Sequence, residues 1–355
     1  MEKKHLHQVI EIVLPGDAVS DHAFTMRDWL RGMGFESDIF VSSCGPGLEH
    51  EVKQFNPALF SSDEMVVYHH SIGSNVIDPL IERQVPLILM YQNITPPEFF
   101  ETADPAMTGY LIRGREQLVA MRPLVRLALG ASTYTQEELI ATGYENTAVL
   151  PLVFHEAAYD VSNPDNLAKE NGEDGPLLLF LGRVVPNKRQ EDLVKLLLFL
   201  RRVSPDARLV LVGGLNEKNY VSWLRRFIDR NGLTDAVTLT GHTNLQQIAG
   251  YYRAADLFVS MSEHEGFCKP LIESMYFDLP VMAYASTAVP STMGGSGVLF
   301  QRKDYEALAE MADIMIRDKA LRERIIAGQK RRLQDFLEPN VREVWRSYLQ
   351  SLDLL

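Results

Sequence analysis

The sequence predicts an α/β protein with two mostly parallel sheets. Short apolar runs alternate with longer amphipathic ones from one end of the chain to the other, as repeated strand–helix units require. The alternation breaks once, in the stretch VSNPDNLAKENGEDG at 161–175, whose Asn, Asp, Glu, Gly and Pro content is that of a linker. A length of 355 residues suits two domains of ordinary size. The expectation is two Rossmann-like halves, with ligands at the carboxyl ends of the strands.

In the first half the expected strands are the apolar runs 9–14, 37–42, 65–68, 86–91, 127–131 and 148–152, and helical periodicity fills 22–33, 75–83, 115–126 and 136–142. After the linker, strands are expected at 177–181, 208–212, 236–239, 256–260, 280–283 and 298–300. Helices are expected at 190–202, 220–231, 245–253, 270–277, 305–317 and 321–337, and a last amphipathic segment, 340–352, follows Pro339. The domain reading is therefore 1–160, a linker at 161–176, a second domain at 177–338 and a terminal helix at 339–355.

Composition narrows the function classes. Apolar residues make up 46% and charged residues 23%, enough for real cores. The net charge of −12 repels a phosphate backbone, so nucleic acid is not expected as a partner. Two cysteines, Cys44 and Cys268, are too few for a disulfide framework. The amino terminus shows no signal-peptide pattern, and no apolar run reaches the ~18 residues that span a bilayer. A cytoplasmic protein is expected, with peripheral contact at the inner membrane face as an alternative.

Two clusters carry chemistry. The stretch SEHEGFCKPLIESMYFDLP at 262–280 follows an expected strand, and Pro270 suits the first residue of a helix. Glu265 then lies in the loop and Glu273 in the first helical turn, pointing back toward the loop. The backbone N–H groups of Phe267, Cys268 and Lys269 precede the helix and suit an anion or a hydroxyl-bearing ligand. The alternative is that Glu273 serves only its own helix dipole and Glu265 is solvated. The second cluster, GRVVPNKR at 182–189, follows the strand 177–181. Its Arg183 and Lys188 combine a forked guanidinium with a point ammonium, which suits a diphosphate. The alternative is a solvated loop whose cations pair with Glu191 and Asp192.

These clusters, in this order, resemble glycosyltransferase family 4, the retaining sugar-nucleotide transferases of GT-B fold. Leu181-Gly182-Arg183-x4-Lys188 is similar to the family's diphosphate loop, and Glu265-Gly266-Phe267-Cys268-x-Pro270-Leu271-x-Glu273 to its Glu-x7-Glu motif. The runs LVLVGG at 209–214, LTGH at 239–242 and AADLFVS at 254–260 fall where the family has core strands. The resemblance implies two Rossmann-like domains facing each other across a cleft, with the last helix crossing back onto the first. It implies that Arg183 and Lys188 bind and stabilise the leaving diphosphate, that Glu265 contacts the transferred sugar, and that Glu273 contacts the ribose. Gly182, Gly266, Phe267, Cys268 and Lys269 would complete the donor site. No Asp-x-Asp sequence occurs and the histidines show no ligand spacing, so neither metal nor cofactor is expected.

The first half matches less closely. Gly16 would approach the donor phosphate at the turn after the first strand, where many relatives have two glycines. Asp21 and His22 could line an acceptor pocket, with helix capping the alternative for Asp21. His69 and His70 end a strand, where hydrogen-bonded scaffold is the commoner role. Gln92, beside Asn93, stands where relatives often carry a histidine, and Ser291 where they often carry a glutamate. The basic stretch 113–126 could meet lipid, against the plainer reading of a solvated helix face. The expected function is transfer of a hexosyl unit from a nucleoside diphosphate sugar to a saccharide, a lipid-linked saccharide or a small-molecule hydroxyl. The rivals are a GT-B phosphorylase, a sugar-nucleotide hydrolase and a binding protein without turnover.

Overall fold

The computed structural model describes residues 4–160 and 175–355, so the expected linker lies outside the described residues except for Gly175 and Pro176. The described chain forms two compact units. The first takes the residues up to Glu101, then Pro105–Val153 and Glu338–Leu355; the second takes Thr102–Asp104 and the described part of Phe154–Leu337. The main body of the first unit thus ends at Val153 rather than at 160. Phe154 donates its N–H to the Phe336 carbonyl at 2.8 Å, and Tyr159 stacks on Phe154, which ties this short segment to the second unit.

The first unit runs β1 (His7–Val13), α1 (Ala18–Gly32), β2 (Ile39–Cys44), β3 (Lys53–Gln54), β4 (Val66–His70), α2 (Ile77–Glu82), β5 (Leu87–Tyr91), α3 (Pro105–Ala120), β6 (Val125–Gly130), α4 (Thr133–Ala141) and β7 (Thr147–Val149). Its sheet has the order β3-β2-β1-β4-β5-β6-β7, and every pair is parallel. Central β5, LILMY, is buried at every residue, which is why it reads as an unbroken apolar run. Helix α1 is capped by Asp17, whose carboxylate accepts from the Ser20 N–H at 3.0 Å and the Ser20 hydroxyl at 2.9 Å. The capping reading of Asp21 is therefore corrected, because Asp21 is the fourth residue of the helix.

Helix α3 begins ten residues before the expected 115. The ten residues before 115 contain Gly109 and Gly114, poor helix formers that hide this part of the helix from periodicity. Gly114 is needed for close approach, since a Cβ there would lie 2.7 Å from the Gly73 nitrogen. In the basic stretch Arg122 and Arg126 are exposed, as a solvated face requires, and three arginines bond to neighbouring residues of the unit. Arg113 bonds Asp78 at 2.7 Å and Asn75 at 2.8 Å, Arg115 bonds the Ile94 carbonyl at 2.6 Å, and Arg122 bonds the Thr142 carbonyl at 3.1 Å.

The second unit runs β8 (Leu177–Leu181), α5 (Gln190–Leu200), β9 (Arg208–Val212), α6 (Lys218–Arg230), β10 (Val237–Gly241), α7 (Leu245–Ala254), β11 (Leu257–Ser260), α8 (Lys269–Tyr276), β12 (Val281–Tyr284), α9 (Val289–Met293), β13 (Val298–Phe300), α10 (Tyr305–Arg317) and α11 (Lys319–Leu333). The order β10-β9-β8-β11-β12-β13 is parallel throughout. The sheet grows outward from β8 to β10, then returns to place β11 against the other side of β8. That reversal leaves a crevice at the carboxyl ends of β8 and β11, the place where open α/β sheets take ligands.

The last helix, α12 (Glu338–Ser351), belongs to the first unit, with Pro339 as its second residue. Its Val341, Trp345 and Leu349 are fully buried in a cluster with Leu6, Trp29 and Val67. The Trp29 indole N–H donates to Glu338 at 2.9 Å, and the Tyr348 hydroxyl donates to the Val149 carbonyl at 2.9 Å. Among the described residues, no helix is long and apolar enough to cross a membrane.

Candidate active site

The two loops at the reversal, after β8 and after β11, are bonded to each other. Buried Asn187 donates its side-chain N–H to the His264 carbonyl at 3.1 Å, and its own carbonyl accepts from the Glu263 N–H at 2.8 Å. On this base the Lys188 ammonium pairs with the buried Glu265 carboxylate. The pair joins one residue from each cluster read in the sequence, 77 residues apart. Arg189, not Arg183 or Lys188, is the cation that pairs with Glu191 and Asp192, at 3.2 Å to each. The expected pairing of the loop's cations with those acids holds only for this neighbour.

Arg183 is exposed, and its carbonyl accepts from the Gln190 amide at 2.9 Å. Its positive charge acts on Glu217, a carboxyl that burial nevertheless pushes above the ordinary carboxylate range. The loop after β9 packs onto the Arg183 loop. The Gly214 carbonyl accepts from the Val184 N–H at 3.0 Å, and a Cβ on Gly213 would lie 2.2 Å from the Gly182 carbonyl oxygen. Only glycine permits that approach at the left-handed φ of Gly213.

After β11, Glu265 is held through its backbone. Thr287 accepts the Glu265 N–H at 2.8 Å and returns its hydroxyl to the Glu265 carbonyl at 2.9 Å. Gly266 is half-buried, while Phe267 is buried edge-on to Phe336 and its carbonyl accepts from the Thr292 hydroxyl at 2.6 Å. Cys268 holds a left-handed φ of 72° as the residue before α8. Burial, with Glu265 beside it, pushes its thiol well above its ordinary value, so it is a neutral packing residue rather than a nucleophile. The helix starts at Lys269, so Pro270 is its second residue, and Glu273 lies beyond the first turn, correcting the expected placement of both. Glu273 is buried and engaged at both oxygens, by the Tyr159 hydroxyl at 2.5 Å and the Tyr252 hydroxyl at 2.7 Å, with Lys269 at 4.0 Å. Asn187, Thr287, Tyr159 and Tyr252 carry no motif signal, because each acts by position in the fold.

The first unit's candidates are different in kind. Gly16 takes a left-handed φ of 71° in the turn after β1, with open space around it. His69 is buried at the end of β4. The Gln8 amide N–H is committed to the Ala23 carbonyl at 3.0 Å, so its oxygen accepts from His69 Nε2 at 2.7 Å, which leaves Nδ1 as the acceptor nitrogen. Burial, and then the facing His22 ring at 6.4 Å, depress the His69 pKa to about 3. His69 lines a hollow of about 100 Å³ with Glu11, Asp17 and Ser71. His70 is a satisfied scaffold residue, donating to the Gly114 carbonyl at 2.8 Å and accepting from Tyr68, with its pKa lowered by burial to about 4. Gln92 is half-buried and donates its backbone N–H to the His70 carbonyl at 2.9 Å, while Asn93 is buried at a left-handed φ of 74°. Asp21 is half-buried on α1, next to the buried His22. Among the described residues, no group of three or more His, Cys, Asp or Glu side chains gathers as metal ligands.

Comparison with known proteins adds a family likeness. The family model described as glycosyl transferases group 1 matches residues 163–332, a span that holds both bonded loops. The match takes in just under half of the chain, which over that span is similar to the group 1 glycosyltransferases. The chain is 32% identical over 166 residues to a D-inositol 3-phosphate glycosyltransferase of Stackebrandtia nassauensis, covering 44% of this chain and 37% of that one. It is 29% identical over 180 residues to a mannosylfructose-phosphate synthase of Agrobacterium fabrum, covering 49% and 36%. These matches span little more than a third of each relative. Over nearly the whole chain the fold is that of solved GT-B structures. Anabaena HepE, solved in complex with UDP-glucose, has a TM-score of 0.73 at 20% identity over 97% of this chain and 99% of that one. Sucrose-phosphate synthase from Thermosynechococcus elongatus has a TM-score of 0.75 at 16% identity over 98% and 99%.

Proposed function

We propose that the chain transfers a hexosyl unit from a nucleoside diphosphate sugar to a hydroxyl of a saccharide, a lipid-linked saccharide or a small metabolite, with retained anomeric configuration and without a metal ion. The observation that carries this reading is the Lys188–Glu265 pair at the reversal of the second sheet. A diphosphate competes with Glu265 for the ammonium, and the released carboxylate is then free to accept sugar hydroxyls. One ligand bearing both groups satisfies both residues. Arg183, exposed on the same loop, supplies a forked cation where charge grows on the leaving diphosphate.

Retention without a carboxylate nucleophile requires attack from the face of the leaving group. The acceptor oxygen bonds to the anomeric carbon as the carbon–diphosphate bond breaks, and a phosphate oxygen takes the acceptor's proton. No protein base is needed, so the neutral His69 and the amide Gln92 serve only to hold hydroxyls, His69 through Nδ1. Glu273, oriented by two tyrosines, would accept from the ribose. Action in the cytoplasm completes the reading.

A thermal-shift panel of UDP, GDP and ADP and their common sugar conjugates, each with Mg²⁺ and with EDTA, tests it. One base should stabilise the protein selectively and equally in both conditions, by about 2.7 kcal/mol when ligand is at 100 times its Kd. A shift only with Mg²⁺ defeats metal independence. No shift with any nucleotide defeats the transferase reading.

A further inference from the structure

Behind the Lys188–Glu265 pair lies a second, larger charge cluster that the transferase reading does not use. Asp192, fully buried in the first turn of α5, accepts at one oxygen from Lys195 at 2.9 Å and Tyr305 at 2.8 Å. Its other oxygen accepts from Lys303 at 2.8 Å and Arg189 at 3.2 Å. Lys303 and Arg189 both reach on to Glu263, at 2.9 Å and 3.4 Å. Glu263 lies two residues before Glu265, and Arg189 directly follows Lys188. Three segments therefore meet here: the loop after β8, the loop after β11, and the connection from β13 to α10 that carries Lys303.

The conformation of Arg189 points the same way. It sits at φ 53° and ψ 46°, a left-handed position that a branched or bulky residue avoids, between the turn holding Lys188 and helix α5. An arginine nonetheless occupies this position, and its guanidinium has three carboxylates, Glu191, Asp192 and Glu263. Ion pairs removed from water add little stability of their own, because desolvation offsets the attraction. What they do fix is register between the segments they join.

We propose that Arg189 and Lys303 are positioning residues, which clamp Glu263 and Asp192 together and so hold Lys188 and Glu265 at the separation the donor requires. Lys303 does this from outside both loops, on a connection that carries none of the donor-site residues. The inference rests on the transferase reading for its effect on turnover, but not for its effect on loop order.

Arg189→Gly tests it, because glycine adopts the left-handed backbone freely, and the variant loses the clamp together with the pair to Glu191. Lys303→Met is the second variant. Each should lower kcat about tenfold or more at saturating donor, since small misplacements of a reacting group are costly. The melting temperature of Arg189→Gly should fall, because buried Glu191 loses its cation, with relief of the left-handed backbone offsetting part of the loss. Lys303→Arg should restore most of the turnover, and the double variant should lose less than the sum of the singles. Hydrogen exchange of the full-length protein without ligand should quicken in both 182–188 and 261–268 in either single variant. Wild-type kcat in both variants, or unchanged exchange in both loops, overturns the clamp. Failure of the wild-type protein to bind any nucleotide counts instead against the transferase reading, and the exchange measurement still decides the clamp.

Discussion

The two sheets share one strand order about their first strands, yet they treat polar side chains at the strand ends in opposite ways. In the first unit, His69 and His70 are buried, neutral and turned toward amide or carbonyl partners. In the second, Lys188, Glu265, Arg189, Asp192 and Glu263 are charged and bonded from loop to loop. Neutral groups recognise hydroxyls without competing for protons, whereas fixed charges are worth most where charge develops in a transition state. On the proposed transferase reading, the electrostatic work falls to the second sheet, and shape and hydrogen bonding to the first.

Replacing Arg183 by Ala should have the largest effect, a loss in kcat of about 10²-fold or more, with thermal stability unchanged because the side chain is exposed. Turnover like that of the wild type would remove the leaving-group role and weaken the contrast. Glu273→Ala should cost about 1–3 kcal/mol of stability by stranding two buried tyrosine hydroxyls, and should also weaken nucleotide binding, measured by denaturant titration and calorimetry. A loss of stability alone would make Glu273 a scaffold residue like His70.

Acid should separate the two units. His69 and His70 titrate in solution near 6.5 but in the folded unit only at about 3 and about 4. Below pH 6.5 the unfolded chain therefore binds protons that the folded unit refuses. Stability that is full above pH 6.5 falls as pH drops toward 4, by about 1.4 kcal/mol per pH unit for each histidine. Asp192 behaves otherwise. Burial opposes its charge, but hydrogen bonds from Lys303, Lys195 and Tyr305 hold it well below its ordinary 3.8, so its contribution is lost only at pH values below 3.8. Hydrogen exchange between pH 6.5 and 4 should show the first unit loosening while the second stays closed; simultaneous opening of both would refute the assignment. The smallest effect belongs to Asp17→Ala, about 1 kcal/mol from loss of the α1 cap, read from urea unfolding.

Much of this was legible in the sequence where a single element carries its own signal. Strands β8, β9 and β13 and helix α10 fall on their expected bounds, because apolar runs or a clear helical period end at glycine, proline or charged residues. Strand β3 was not, since Lys53 and Gln54 are exposed edge residues with no apolar pattern. Helix α9, a single turn containing Pro290, is too short to show periodicity. The site divides in the same way. Lys188, Glu265 and Glu273 stand out in the sequence through the motifs they share with a known family, since type and spacing alone leave each a plain structural reading, whereas Tyr159 reaches Glu273 across 114 residues and Asn187 reaches the His264 carbonyl across 77. Contacts of that kind are made by the strand order, and no local window of sequence encodes them.

The place of α12 bears on how the chain is made. A ribosome releases residues in order, and the second unit has all its strands once Leu337 has emerged. The first unit, begun earlier, still lacks Val341, Trp345 and Leu349, three fully buried members of its core cluster. The part synthesised first is thus the part completed last, and until then its cluster stays open to solvent. A chain halted after Leu337 should give a protease-resistant second unit and a first unit that limited proteolysis degrades.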